Sequence, residues 1–184
     1  MSKENPWKTL SSEVKYDNPW IRVTEHKVIN PAGNDGIYGV IHFKNKATAV
    51  IPLDDENNTW LVGQYRYPLH CYEWEVPEGG SPENEDPEFT ANRELEEETG
   101  FRASSMQLVL KMQLSNSVSD EVSYSYVARG LTYTGLSPEE TEQLQILKLP
   151  FEEVFQMAMD GKIKDALSVA TIFKVKLMMM NGEI

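Results

Sequence analysis

"GGSPENEDPEFTANRELEEETGF", residues 79–101, sets Glu94, Glu96, Glu97 and Glu98 within five positions and offers only Arg93 beside them. Asp86 followed by Pro87 reads as a helix start, an N-cap side chain and then proline at the first helical position. Gly100 reads as the stop. The spacing therefore predicts a helix over 87–99, with Phe89, Asn92 and Leu95 as its inward face. Glu94, Glu97 and Glu98 are three or four residues apart, so their carboxylates share a face, and each exposed like-charge pair costs about 0.2–0.5 kcal/mol. Two readings stand: a solvated acidic surface, or a binding site for a divalent cation. The absence of any lysine in the adjacent turns favours the cation, and an all-oxygen site suits hard Mg²⁺.

The acidity is local. Residues 71–100 hold eleven carboxylates against Arg93, within a chain of 184 residues and net charge −12. That balance argues against a nucleic-acid partner, and a phosphate compound would approach such a surface only with cations between. Apolar residues make up 40% and aromatics 10%, enough for a real core. Cys71 is the single cysteine, which excludes an internal disulfide framework and a Cys-based zinc cluster. No apolar run approaches the length of a membrane span, and "MSKENPWKTLSSEV" lacks a signal-peptide pattern. The expectation is a soluble cytoplasmic protein without a membrane partner.

Alternating apolar and polar residues in "WIRVTEHKVI" and "GIYGVIHF", separated by "NPAGNDG", predict a hairpin. "ATAVIPL" and "TWLVGQYRY" predict a second hairpin around "DDENN". Further strands fit "YEWEVP", "MQLVLKMQL", "VSYSYVA" and "LQILKL", and helices fit "FEEVFQMAMD" and "DALSVATIFKVKLMMM". Met178, Met179 and Met180 read as core or subunit-contact filler. Residues 1–45 form a mostly β subdomain and residues 46–184 a mixed α/β domain.

Gly79, five residues, Glu85, seven residues, Arg93-Glu94-Leu95, one residue, Glu97-Glu98, one residue, Gly100-Phe101: this spacing resembles the complete Nudix box at all nine specified positions. A chance match in such a chain has a probability of about 10⁻⁸ to 10⁻⁷ at ordinary residue frequencies. The resemblance implies a Nudix α/β/α sandwich, here with a small N-terminal antiparallel β subdomain. It also implies hydrolysis of a nucleoside diphosphate linked to another moiety, dependent on two to three Mg²⁺ or Mn²⁺ ions. By position, Glu94, Glu97 and Glu98 would be metal ligands, joined by the main-chain carbonyl of Glu78. Glu97 and Arg93 would also serve catalysis, Arg93 by orienting a box carboxylate such as Glu85.

Outside the box, "VGQYRYPL" and "EWEVPEGG" look like the branch that cleaves ADP-ribose and related nucleoside diphosphate sugars. That likeness implies a diphosphate contact at Arg66, for which a surface ion pair is the alternative, and a substrate contact at Glu75. Trp20 is the candidate platform for the base, or else a buried side chain. In "SNSVSDE", Asn116 and Ser117 stand where ADP-ribose-specific members carry proline and glycine, so GDP-mannose and other purine nucleotide sugars join ADP-ribose as expected substrates. Glu121 is the candidate contact to the distal sugar. The general base is expected in "GLSPEETEQ", at Glu142 first and Glu140 next, with Glu139 beside them; solvated loop acids are the alternative. A homodimer is expected, because the N-terminal hairpin is too small to bury Ile21, Val23, Val28, Ile37 and Val40 by itself. The rivals are a non-catalytic nucleotide-sugar sensor and a hydrolase of dinucleoside polyphosphates; the intact box favours the enzyme.

Overall fold

The acidic segment forms helix α1, Pro87–Thr99, in a computed structural model that describes residues 4–136 and 144–184. Asp86 caps it, its side chain accepting a hydrogen bond from the Glu88 N–H at 3.0 Å. Gly100 ends it in the left-handed region, φ 76°, with its N–H returned to the Glu96 carbonyl at 2.8 Å. A side chain there would pay for a conformation that only glycine adopts freely. The inward face differs from the sequence reading. Phe89 is 58% exposed, and the buried residues are Thr90, Ala91, Leu95, Glu98 and Thr99. Asn92 holds the helix to the following strand, exchanging hydrogen bonds with both backbone groups of Ala103 at 3.0 and 3.2 Å.

Contacts divide the chain into two units. The first runs up to Asn45 and also includes Gln113–Glu121. Its strands β1 (Lys8–Asp17), β2 (Ile21–Ile29) and β3 (Asp35–Phe43) form an antiparallel sheet in the order β1-β2-β3. The β2–β3 hairpin is the expected one. β1 was not foreseen, since all ten of its residues are exposed and nothing in "KTLSSEVKYD" demands a core. Residues 113–121 dock on β3: the Asp120 carboxylate contacts His42 Nδ1 at 2.6 Å and accepts the Phe43 N–H at 3.0 Å. Of the five apolar residues singled out in this hairpin, Val28 is buried and Ile37 is 70% exposed.

The second unit contains two sheets. β4 (Asn45–Pro52), β7 (Glu78–Pro82), β8 (Phe101–Gln113) and β9 (Val122–Tyr133) stand in the order β7-β4-β9-β8, with β4 parallel to β9. β5 (Asn58–Arg66), β6 (Cys71–Glu75) and β10 (Gln145–Pro150) form the other, in the order β10-β5-β6. The hairpin expected around "DDENN" is therefore overturned: β4 and β5 lie in different sheets. Thr48 to Pro52 are buried without alternation, the mark of a strand covered on both faces, and Arg129 fastens the connecting turn through the Asp54 carbonyl and Asn57 Oδ1.

α2 (Phe151–Met159) packs on β10, and α3 (Ala166–Met180) packs on β9. β9 serves two cores at once. Its Tyr126 and Ala128 join Val50, Ala91, Leu95 and Ala103 against α1, while the Ser125 hydroxyl accepts from the Thr171 hydroxyl of α3 at 2.7 Å. Helices thus flank the sheet strands in an α/β/α sandwich. No helix of the described residues is long and apolar enough to cross a membrane.

Leu95 is fully buried in this cluster. Leu95→Ala should lower unfolding stability by about 2–5 kcal/mol, the cost of a buried leucine cavity, measured by urea denaturation of metal-free protein.

Candidate active site

Glu98 sits in the last turn of α1 at 1% exposure, yet carries a carboxylate. Burying such a group is costly unless it is hydrogen-bonded. Its Oε2 accepts the Glu78 N–H at 3.0 Å, which fixes the start of β7 against the helix. One residue on, a Cβ at Gly79 would fall on the Glu94 carboxylate. The glycine is thus what lets Glu94 lie against the strand.

Arg93 is shared among three acids. Its Nη1 donates to Glu97 at 2.7 Å, and its Nη2 lies 2.9 Å from Glu94 and 3.7 Å from Glu85. Glu85 is also fixed by the Thr90 hydroxyl, and Lys46 reaches the carbonyls of Glu83 and Glu85 at 3.0 and 3.4 Å. The structure therefore gathers Glu85, Glu94 and Glu97 around one guanidinium, with Glu98 on the same helix. Oxygen is the only donor type, and the Glu78 Oε2 is a buried carboxylate oxygen with no hydrogen-bond partner. These residues fit a hard divalent cation.

A second cluster adjoins the first through Glu78. Arg66, the last residue of β5, donates from Nε to both oxygens of Glu75 at 2.9 Å and from Nη2 to both Glu75 and Glu78. Glu75, Glu78 and Asp165 each offer an oxygen within 4.8 Å of the others. Burial, reinforced by the charges of Asp165 and Glu75, pushes the Glu78 carboxyl well above the ordinary glutamate range. Burial alone would depress the Arg66 guanidinium, but its hydrogen bond to Glu75 and the neighbouring carboxylates hold it firmly charged.

Sequence reasoning did not find two members of this cluster. The family resemblance points to the Glu78 carbonyl, and nothing in the sequence marks its side chain as a neighbour of Arg66. Asp165 caps α3, accepting the Ser168 N–H at 2.6 Å; an aspartate before a helical run signalled the cap but not its carboxylate neighbours. Trp20 and Glu121 belong to the N-terminal unit, Trp20 at 67% exposure in the β1–β2 turn, so the buried alternative does not hold. Glu139, Glu140 and Glu142 lie outside the described residues.

The NUDIX domain family matches residues 44–169, and the nucleoside diphosphate sugar hydrolase N-terminal domain family matches residues 7–41. The chain belongs to the Nudix family. Its enzyme class is that of the Nudix pyrophosphatase hydrolases. It is 30% identical over 172 residues to a methanol dehydrogenase activator of Bacillus methanolicus, covering 92% of each chain. It is 30% identical over 180 residues to an ADP-ribose pyrophosphatase of Mycobacterium tuberculosis, covering 94% of this chain and 84% of that one. A crystal structure of an ADP compounds hydrolase superposes over 100% of both chains with a TM-score of 0.87 at 22% identity, which establishes the shared fold.

Gly79→Ala should push the Glu94 carboxylate away from β7 and weaken Mn²⁺ binding about 10- to 100-fold, the usual cost of misorienting a metal ligand. Titration calorimetry on the folded variant measures it, and unchanged affinity would remove Glu94 from the ligand set.

Proposed function

We propose that this enzyme hydrolyses the diphosphate of nucleoside diphosphate sugars, ADP-ribose and GDP-mannose among them, to a nucleoside monophosphate and a sugar phosphate. The observation that carries this reading is the position of Glu78. Its N–H meets the box carboxylate Glu98 and its side chain meets Arg66. The carboxylate-bearing box helix and a guanidinium thus both contact one residue, which supports a site that binds a diphosphate through cations and an arginine together.

Glu94, Glu97, Glu98 and the Glu78 carbonyl would hold two to three Mg²⁺ or Mn²⁺ ions. Bound there, the ions would supply charge neutralisation of the diphosphate and a lowered water pKa. Arg93 keeps Glu94 and Glu97 in place, and Arg66 meets the diphosphate. Water oxygen bonds to one phosphorus, the bridging P–O bond breaks, and the water's proton passes to Glu142, with Glu140 as the second candidate. Trp20 provides a stacking face for the base, and Glu121 meets the distal sugar. We assign the enzyme to the cytoplasm as a homodimer in which residues 1–45 of each subunit contribute to the partner subunit's base pocket. The family match to residues 7–41 supports the nucleotide-sugar reading.

Purified protein with Mg²⁺ or Mn²⁺ should convert ADP-ribose to AMP and ribose 5-phosphate, and GDP-mannose to GMP and mannose 1-phosphate, followed by chromatography. Turnover of nucleoside triphosphates with none of nucleotide sugars would overturn the proposal.

Glu142→Gln should lower kcat about 10²- to 10⁴-fold, the usual contribution of a general base, while Glu139→Gln has a mild effect. A Glu142→Gln enzyme keeping more than about a third of the wild-type rate would move the role to Glu140 or a box carboxylate.

A further inference from the structure

We propose that Glu75 is a positioning residue for diphosphate recognition. It fixes Arg66 by the Nε–Nη2 edge of the guanidinium and leaves the Nη1 edge for the substrate. This rests on the nucleotide-sugar reading above and changes the role expected for Glu75, from a substrate contact to a residue that acts through Arg66.

The geometry is that of a fixed acid and a presented base. Glu75 is 3% exposed, whereas the Arg66 side chain is 34% exposed. Both Glu75 oxygens are taken up by Nε, and Nη2 is divided between Glu75 and Glu78. Among the described residues, none accepts a hydrogen bond from Nη1. A planar guanidinium gripped along one edge offers its remaining donors in a set direction, which is how arginine reads phosphate oxygens.

Glu75 itself stands on rigid ground. Two residues back, Glu73 is tied to Lys164 at 2.8 Å, and directly after it the Val76 N–H donates to the Ser168 hydroxyl of α3 at 3.1 Å. Arg66 is the last residue of β5, paired with Cys71, and beyond it the chain turns at once into a single 3₁₀ turn over Tyr67–Leu69, so Glu75 and Glu78 are what hold its side chain. Glu78 touches only Nη2, so without Glu75 the guanidinium could pivot about that contact. The carboxylates around Arg66 outnumber it, so the benefit of Glu75 to a polyanionic substrate is orientation rather than charge.

A mutant cycle tests this with ADP-ribose and GDP-mannose as substrates. Glu75→Gln should raise KM about tenfold while kcat stays within about threefold, the pattern of lost ground-state and transition-state binding together. Arg66→Ala should raise KM at least as much. The double variant should be no worse than Arg66→Ala alone, because Glu75 has no route to the substrate except through Arg66. Three outcomes overturn the proposal: effects that multiply in the double variant, a fall in kcat at unchanged KM, or a lower KM, which would mean Glu75 competes with the diphosphate. If Glu75→Gln does not fold by circular dichroism, Glu75→Asp goes through the same cycle with the same criteria. Wild-type enzyme that leaves both substrates intact overturns the substrate reading and this proposal with it; an active wild type with multiplying effects overturns this proposal alone.

Discussion

A buried carboxylate accepting one backbone N–H holds the rest of the site in place. Glu98 has almost no contact with solvent, and its bond to the Glu78 N–H lets α1 approach β7 with an acid at the interface. The approach is close enough that Gly79 can carry no side chain without displacing Glu94. Helix, strand and the two carboxylates are therefore set by the same contact. The apolar side of the helix then settles on the strands through Leu95 and Ala91, packed against Val50 and Tyr126.

The charge distribution follows from that geometry. Carboxylates on one helix face repel, and Arg93 offsets part of the repulsion by touching Glu94, Glu97 and Glu85 together. One guanidinium is insufficient for that many acids. The remaining negative charge, in a partly buried setting where Coulomb forces are strong, is a standing preference for cations, and hard cations suit its oxygen donors.

Glu78 joins this cluster to a second one. Through its main-chain N–H it is tied to Glu98 of the box helix, and its side chain lies with Arg66, Glu75 and Asp165. Such linkage makes the position of the arginine depend on β6, just before the box, and on the start of α3, far from it in sequence. Precise placement of charged groups requires support of this kind from packed strands and helices.

The residues 79–101 fixed their own local structure. Asp86, Pro87 and Gly100 are start and stop signals whose physics is local, so the helix was legible at both ends, and the nine matched positions carried the family. The strands of "WIRVTEHKVI" and "GIYGVIHF" were legible because alternation and a short turn are local as well. Tertiary structure decided the rest. β4 and β5 look like a hairpin because each is apolar and a turn lies between them, but pairing partners depend on what buries each face, and β4 runs parallel to distant β9 instead. Phe89 looked inward by composition, yet the helix packs through Ala91 and Leu95 against Val50 and Tyr126, which leaves Phe89 exposed. The role of Glu75 was beyond the sequence for the same reason: its partner Arg66 is reached across a β-hairpin, and only folding sets the acid and the base face to face.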